Sequence, residues 1–430
     1  METFGEAVRR LSGSESLRSV ARRAHLDAAH LSRIVRGIRP PTHLYASALD
    51  EAFGTDELVA MVRQRPVGEW TVDSEHWRHR DFEALAAMLL AETPTADNAL
   101  RLAHEWLIAD PPQVYEVRAG RRIGNSTVEH VIERVQQLRL LDDHLGGMST
   151  YEVVTAELAA TAGILREASY TEVVGRRLLV AIAELCQLAG WVASDAGHYA
   201  DAQRLYLAGV RAAHAGGDTP GAANNLSSLS YQVANIGDPR EAVMLARSAV
   251  RGAGRSATAT TRALLLERLS WAHARAREAG QAERSLGAVD DAYSGRKPED
   301  DPPWTYWLSC KEVEVMAGRV WTELRRPLRA VPILERATAG YDENAARETS
   351  LYLTWLAESL LQAGEVERAA EAASRALRLS RHAGSVRADG RVQTLRRLLG
   401  EYRGTPAADD FEEEYHAAVK SNDRESGAAG

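Results

Sequence analysis

The sequence predicts an all-α chain in two parts: five short helices at the N-terminal end, then a long run of helices paired by a recurring turn. Three observations predict it. The 430 residues are rich in Ala and Arg, include only four Phe, and do not gather Val, Ile and Tyr into strand-like runs, so helix is favoured nearly everywhere. Between residues 3 and 62, apolar positions recur at helical spacing in five short segments closed by Gly, Ser or Pro. Beyond residue 172, a Gly-to-Ala signature returns about every forty positions, the spacing of stacked helix pairs.

Composition bounds the function. The formal charge is −8, yet residues 1–40 carry eight Arg against four acids, leaving +4 there and −12 on the remainder. A basic end on an acidic body implies that only the N-terminal part meets phosphate. The length predicts two or three domains with a large core. Cys186 and Cys310 are far apart with no CxxC, which argues for a reducing compartment and against a disulfide framework or zinc site. No apolar run follows Arg9 and Arg10, and the longest apolar stretch, Leu178–Ala193, is interrupted by Glu184 and Gln187. The expected location is therefore cytoplasmic, without a membrane partner.

The first helix is expected over Thr3–Leu11, with Phe4, Val8 and Leu11 inward and Ser12–Ser14 as its stop. The stretch Ser16–Pro41 predicts two short amphipathic helices in a tight turn. Leu17, Val20, Ala21 and Ala24 share a face of the first; Asp27 suits the N-cap of the second. In that second helix, Ala28–Arg36, Leu31, Ile34 and Val35 point inward, Arg33 and Arg36 stay outside, and Gly37 with Pro40 and Pro41 ends it. Helices this short, so closely joined, pack at a steep angle, and Ala21 permits the close crossing. This is a helix-turn-helix pattern; the other arrangement with the same spacing is an ordinary α-hairpin. Helices over His43–Phe53 and Asp56–Val62 close the small core through Leu44, Leu49, Phe53, Leu58, Val59 and Val62.

On the first-helix run Val20–Ala24, the second-helix core Leu31–Ile34, Gly37 and the run Arg39–Thr42, residues 1–64 resemble the phage-repressor-like (XRE/Cro) regulators. His25 stands where that family usually carries Gly. The resemblance implies a DNA-binding domain. In the docking geometry of such a motif, Ala28, Ala29, Ser32 and Arg33 face base edges, and Arg18, Arg22, Arg36 and Thr42 suit phosphates.

Residues 65–125 read as a linker region with helices over Phe82–Leu90 and Ala96–Ile108, broken at Pro111-Pro112 and again at Gly120–Arg122. Residues 126–403 read as the repeat domain, opening with a helix over Thr127–Leu141, and 404–430 as a polar tail with one amphipathic helix over Phe411–Val419. Gly197–Ala202 is echoed by Gly237–Ala242 and Gly364–Ala369, and more weakly by Gly280–Ser285 and Arg325–Ala330. Small residues stand five positions after each anchor. Seven before stand Gly190, Ser230, His273, Gly318 and Ala357, mostly small. On these positions residues 172–400 resemble tetratricopeptide repeats (TPR), in units longer than usual, and the whole chain resembles an actinobacterial type of regulator that joins both modules.

The TPR resemblance implies an inner face carrying ligand contacts 13, 10 and 6 positions before the turn. This selects Glu184, Gln187 and Trp191; Asn224, Ser227 and Tyr231; Glu267, Ser270 and Ala274; Glu312, Val315 and Arg319. A peptide or protein ligand suits such a groove; a solvated helix surface is the plainer reading. In the second unit, Leu226, Leu229, Val233 and Ile236 form the expected buried stripe, leaving Asn224, Ser227 and Tyr231 elsewhere.

His76 with His79 lacks a third metal ligand nearby, and Asp142, Asp143 and His144 do not converge on one side of a helix. No phosphate-binding, nucleophile-elbow or zinc-protease motif occurs, so no enzyme activity, metal or cofactor is expected. The expected function is sequence-specific transcriptional regulation by a homodimer on double-stranded DNA, with a repeat domain that dimerises or senses a ligand. The alternative is a TPR interaction scaffold without operator-specific DNA binding.

Overall fold

The computed structural model describes residues 4–13, 15–24, 26, 28–36, 41, 43–63, 76–77, 79–90, 99–111, 113–114, 121–145, 147–339, 346–383 and 386–428. The chain divides into two compact units, Met1–Ser74 and Glu75–Gly430.

The first unit holds α1 (Phe4–Ser12), α2 (Leu17–Arg23), α3 (Ala28–Val35), α4 (His43–Phe53) and α5 (Glu57–Arg63). Its core gathers Phe4, Val8, Val20, Ala21, Leu31, Ile34, Leu49 and Leu58. Ser16 caps α2: its hydroxyl accepts from the Ser19 amide, which also donates to the Ser16 carbonyl at 2.9 Å. Gly5 lets α1 approach the end of α3: a Cβ there would stand 2.2 Å from the Val35 carbonyl oxygen. Asp50, buried, fixes the corner between α4 and α5. It accepts from the Thr55 hydroxyl at 2.6 Å and from the Leu58 and Val59 amides at 3.0 and 2.7 Å. The expected cap and stop residues Asp27, Gly37 and Pro40 lie outside the described residues.

The second unit comprises α6 (His79–Leu90), α7 (Ala99–Ile108), α8 (Asn125–Leu145), α9 (Gly147–Glu167), α10 (Glu172–Asp195), α11 (Tyr199–Gly216), α12 (Thr219–Ile236), α13 (Pro239–Ala253), α14 (Ala259–Arg275), α15 (Ala279–Ser294), α16 (Cys310–Glu323), α17 (Pro327–Thr338), α18 (Ala346–Gln362), α19 (Val366–Ala383), α20 (Val386–Leu399) and α21 (Pro406–Ala428). Two parallel two-residue strand pairs, His76–Trp77 with Gln113–Val114 and Arg121–Arg122 with Ala168–Ser169, fasten chain crossings without building a sheet. The fold is all-α.

From α10 to α19 packing is serial. Each even-numbered helix packs against the helix that follows it, and α10, α12, α14, α16, α18 and α20 touch one another in succession. The turn inside each pair explains the recurring signature. Gly197 and Gly364 take left-handed φ values of 87° and 81°, where a residue without Cβ is unstrained. In the third and fourth pairs, Arg277 and Arg325 occupy the same turn at φ 61° and 53°.

This corrects the register of the third unit. Its turn lies at Arg277, not Gly280: the Glu278 amide donates to the His273 carbonyl just as His198 donates to Ala193, Arg326 to Trp321 and Glu365 to Leu360. The sequence misled because glycine, the usual turn marker, sits three positions late, inside α15. With the turn at Arg277, the position seven before it becomes Ser270 instead of His273, and the position five after it becomes Ala282 instead of Ser285. All five residues at the latter position, Ala202, Ala242, Ala282, Ala330 and Ala369, are fully buried. Close approach is why they stay small. A Cβ on Gly190 would meet Tyr206 at 2.6 Å, and one on Gly318 would meet Leu334 at 2.9 Å. Ser230 and Ser270 donate across the pair to the Ala242 and Ala282 carbonyls at 2.8 and 3.0 Å.

Two regions carry packing that the sequence does not show. The 65–125 region is not a free linker throughout: α6 packs on α9 and α11, and α7 on α11 and α13. Arg204 of α11 donates to the Leu89 carbonyl at 3.0 Å, capping α6, and Trp106 lies against Gly252 of α13. The 404–430 segment is helical to Ala428 and packs on α19 and α20 through Phe411, which is fully buried, because an aromatic on its apolar face has a neighbouring surface to cover it. One helix, Glu172–Asp195, is long and apolar enough to cross a membrane by composition, and 72% of its apolar window is buried.

Candidate functional site

Two groups of side chains are candidate sites. The first lies on α2 and α3 of the first unit. Leu31, Ile34 and Val35 of α3 are buried, so the opposite side of that helix is presented outward. Arg18, Arg22, Arg33 and Arg36 are exposed, while Ala28 and Ser32 are half-buried. Arg36 folds back, its Nε donating to the Ser32 carbonyl at 3.2 Å, which caps the end of α3. Ala29 lies in α3 with its side chain outside the described residues; Thr42 is outside them entirely. Nearby arginines also pair within the unit. Arg23 pairs with Glu15 at 2.7 Å and stands over the Phe53 ring, and Arg10 pairs with Glu57.

The second group runs along the even-numbered helices of the second unit. Trp191 of α10, Tyr231 of α12 and Trp271 of α14 each sit six positions before their turn, and the corrected register aligns them. Trp191 and Tyr231 stack at 6.0 Å, Tyr231 and Trp271 follow at 6.4 Å, and Trp355 of α18 meets Trp271 edge-on at 5.4 Å. Among the described residues four arginines stand against these rings, Arg275 at 5.9 Å from the Trp271 ring centre. Arg268 stands 4.2 Å from the Tyr231 ring centre and 5.6 Å from that of Trp191. Arg319 lies within 5.5 Å of Tyr231, Trp271 and Trp355, and donates to the Tyr231 hydroxyl at 2.6 Å. Arg391 lies 3.6 Å from the Trp355 ring and pairs with Glu358 at 2.5 Å. Such cation–π contacts gain strength when desolvated, and this column is largely desolvated.

The expected groove positions converge only in part. Trp191, Tyr231, Glu267, Glu312 and Arg319 belong to the column or border it. Gln187 donates to the Ser228 hydroxyl at 3.3 Å. Glu184 pairs with Arg139 of α8 at 3.0 Å, and burial raises its carboxyl while Arg139 opposes the rise. Asn224, Ser227, Ala274 and Val315 are buried, Ser227 donating to the Asn224 carbonyl at 2.9 Å, and Ser270 is fully buried in its interhelix bond. These are not open peptide contacts, because helices on both sides and the interleaved arginines cover them. In the same helix, Ile236 of the expected buried stripe is half exposed. Sequence reasoning missed Arg268, Trp271 and Trp355. The misplaced third turn hid Trp271 and Arg268; Trp355 lies nine positions before Gly364, where Arg268 lies before Arg277.

Two acids sit among these cations. Burial pushes the Glu267 carboxyl up to about 8, against the pull of Arg268 and Arg319. Burial also raises Glu312, which accepts from the Tyr352 hydroxyl. Among the described residues no group of His, Cys, Asp and Glu is placed to hold a metal ion. Asp142 accepts from the Thr150 hydroxyl at 3.1 Å, and Asp143 from the Tyr306 hydroxyl at 2.5 Å. Comparison with protein-family models, curated proteins and solved structures finds no match for this chain.

Proposed function

We propose that this chain is a sequence-specific DNA-binding regulator, with α2 and α3 as a helix-turn-helix of the XRE/Cro kind and α10–α20 as a TPR-like array that senses a ligand or joins two copies. The observation that carries the reading is the division of labour on α3: its apolar residues fill a closed core while Arg33 remains on the exposed face, within an N-terminal segment of net charge +4 in a chain of net charge −8. A positive face opposite a rigid core is what a groove-binding helix needs. For the array, the support is the small residues at the pair crossings and the serial contact of even-numbered helices.

In this reading Arg33 bonds a base edge, and Arg18 and Arg22 hold phosphates. The target is a two-fold site bound by a homodimer, since one five-helix unit spans too few bases for operator-level affinity. Genomic footprinting tests this: two protected half-sites about one helical turn apart are expected. A monomer by light scattering that protects a single half-site overturns the dimer, and no protected site at all favours a protein-binding scaffold.

A further inference from the structure

We infer that the arginine–aromatic column holds a binding site for a small organic carboxylate, at the pocket bounded by Tyr231, Glu267, Arg268, Trp271, Met316 and Arg319. The inference rests on the sensor reading above and names the class of ligand that the array receives.

The argument begins with charge. Arg268 and Arg319 lie against the same Tyr231 ring, at 4.2 and 5.5 Å, and Arg268 is only 5% exposed. Among the described residues no carboxylate stands within 4.0 Å of either guanidinium. Buried cations are ordinarily paired with an anion, because leaving water without compensation is expensive. Glu267 is placed to compensate, but burial holds its carboxyl protonated at neutral pH, so the pocket keeps a net positive charge.

Hydrogen bonding points the same way. Glu267 is 1% exposed and its Oε1 has no partner; Arg319 Nε, also buried, has none. Both line the pocket. A protonated Glu267 and the Arg319 Nε together offer donors to one acceptor, and a carboxylate takes two such bonds in a plane. The free interior of the pocket is about 10 Å³, room for a single oxygen centre. One carboxylate oxygen fits that depth, and the body of the acid extends out of it past the lining side chains, Trp271 and Met316 among them. An extended peptide does not fit, since Asn224, Ser227 and Ser270 of the expected groove are covered.

The test is calorimetric titration of the full-length protein at pH 7 with acetate and benzoate, with inorganic phosphate and ethylammonium as comparison probes. Saturable binding of the acids is expected, tighter for benzoate, whose ring gains the Trp271 and Met316 contacts. Arg319→Met should weaken it at least tenfold. Met316→Phe, which enlarges a lining side chain and leaves every charge in place, should also weaken it, and thermal melts of both variants check folding. The wild type should lose affinity as pH rises through 8, when Glu267 ionises among Arg268, Arg319, Glu312 and Asp290, whereas Glu267→Gln should not. No saturable binding of either acid, equal binding by folded Arg319→Met, or tighter binding of phosphate overturns the site. DNA affinity of the wild type with and without benzoate reads the regulatory role separately: binding without any effect on DNA overturns the sensor role and leaves the site standing.

Discussion

Arginine does opposite work in the two units. In the first, Arg18, Arg22 and Arg33 are exposed on helices whose other faces are sealed in a core. In the second, Arg204, Arg268 and Arg391 are drawn inside, onto carbonyls, carboxylates and aromatic rings. A guanidinium keeps its charge in either setting, so its surroundings decide whether it attracts a partner or locks a fold. Composition counts both kinds alike; only placement separates them.

The comparison breaks most readily at Arg204. It donates to the Leu89 carbonyl and pairs with Asp201 at 2.9 Å while almost fully buried. Arg204→Met should cost about 3–5 kcal/mol, the range for breaking a buried charged network by removing one partner, read by urea denaturation. Arg22→Met, on the first unit, should stay within about 0.5 kcal/mol in the same assay, as exposed substitutions do. Equal losses would erase the contrast between the units.

On DNA the order reverses. Arg33→Ala should lose about 1–3 kcal/mol at one base position and relax specificity there, while Arg22→Ala weakens all sequences alike and lowers the salt slope by about 1. Competition binding on a single-base variant series separates them; equal loss at every position removes Arg33 as a base reader.

Smaller still is the capping of the first unit. Ser16→Ala removes the side-chain acceptor of the Ser19 amide, which keeps the Ser16 carbonyl, and should cost no more than about 1 kcal/mol, measured by thermal unfolding.

Last comes a pH effect. Glu267 holds its proton in the folded chain up to about pH 8, whereas it is released near 4.5 when unfolded. The folded state therefore binds more protons between those values, and this residue's contribution to stability falls as pH rises from about 4.5 through 8. Glu267→Gln should gain in melting temperature relative to the wild type across that window and hold a constant difference outside it.

Much of this was legible in the sequence, for identifiable reasons. The helices of the first unit follow from period and breakers: Leu31, Ile34 and Val35 recur on one face, and Gly54 separates α4 from α5. The pairing of α10 with α11 and α12 with α13 follows from Gly197, Gly237 and the alanines five positions on. What failed was any inference that took a residue type for a conformation. Arg277 occupies a left-handed turn without being glycine, so the sequence marks Gly280 in its place and shifts the inner-face residues of the third pair by three. Burial of Asn224 and Ser227 was equally hidden, because it depends on what the neighbouring helices set against them, and no local pattern records that. Phe411 shows the converse: one aromatic in a charged segment marked a helix that docks.

The bond between Tyr306 and Asp143 has a kinetic consequence. It joins positions 163 apart, in a unit whose other contacts are mostly between helices adjacent or next-but-one along the chain. Such arrays fold by local nucleation and propagation, so a tie of this span closes only after the intervening helices have stacked. A bond made late is absent from the folding transition state and acts on escape from the native state. Removing it with Tyr306→Phe should leave the refolding rate unchanged and speed unfolding, which makes this one hydroxyl a clasp that sets how long the array stays closed.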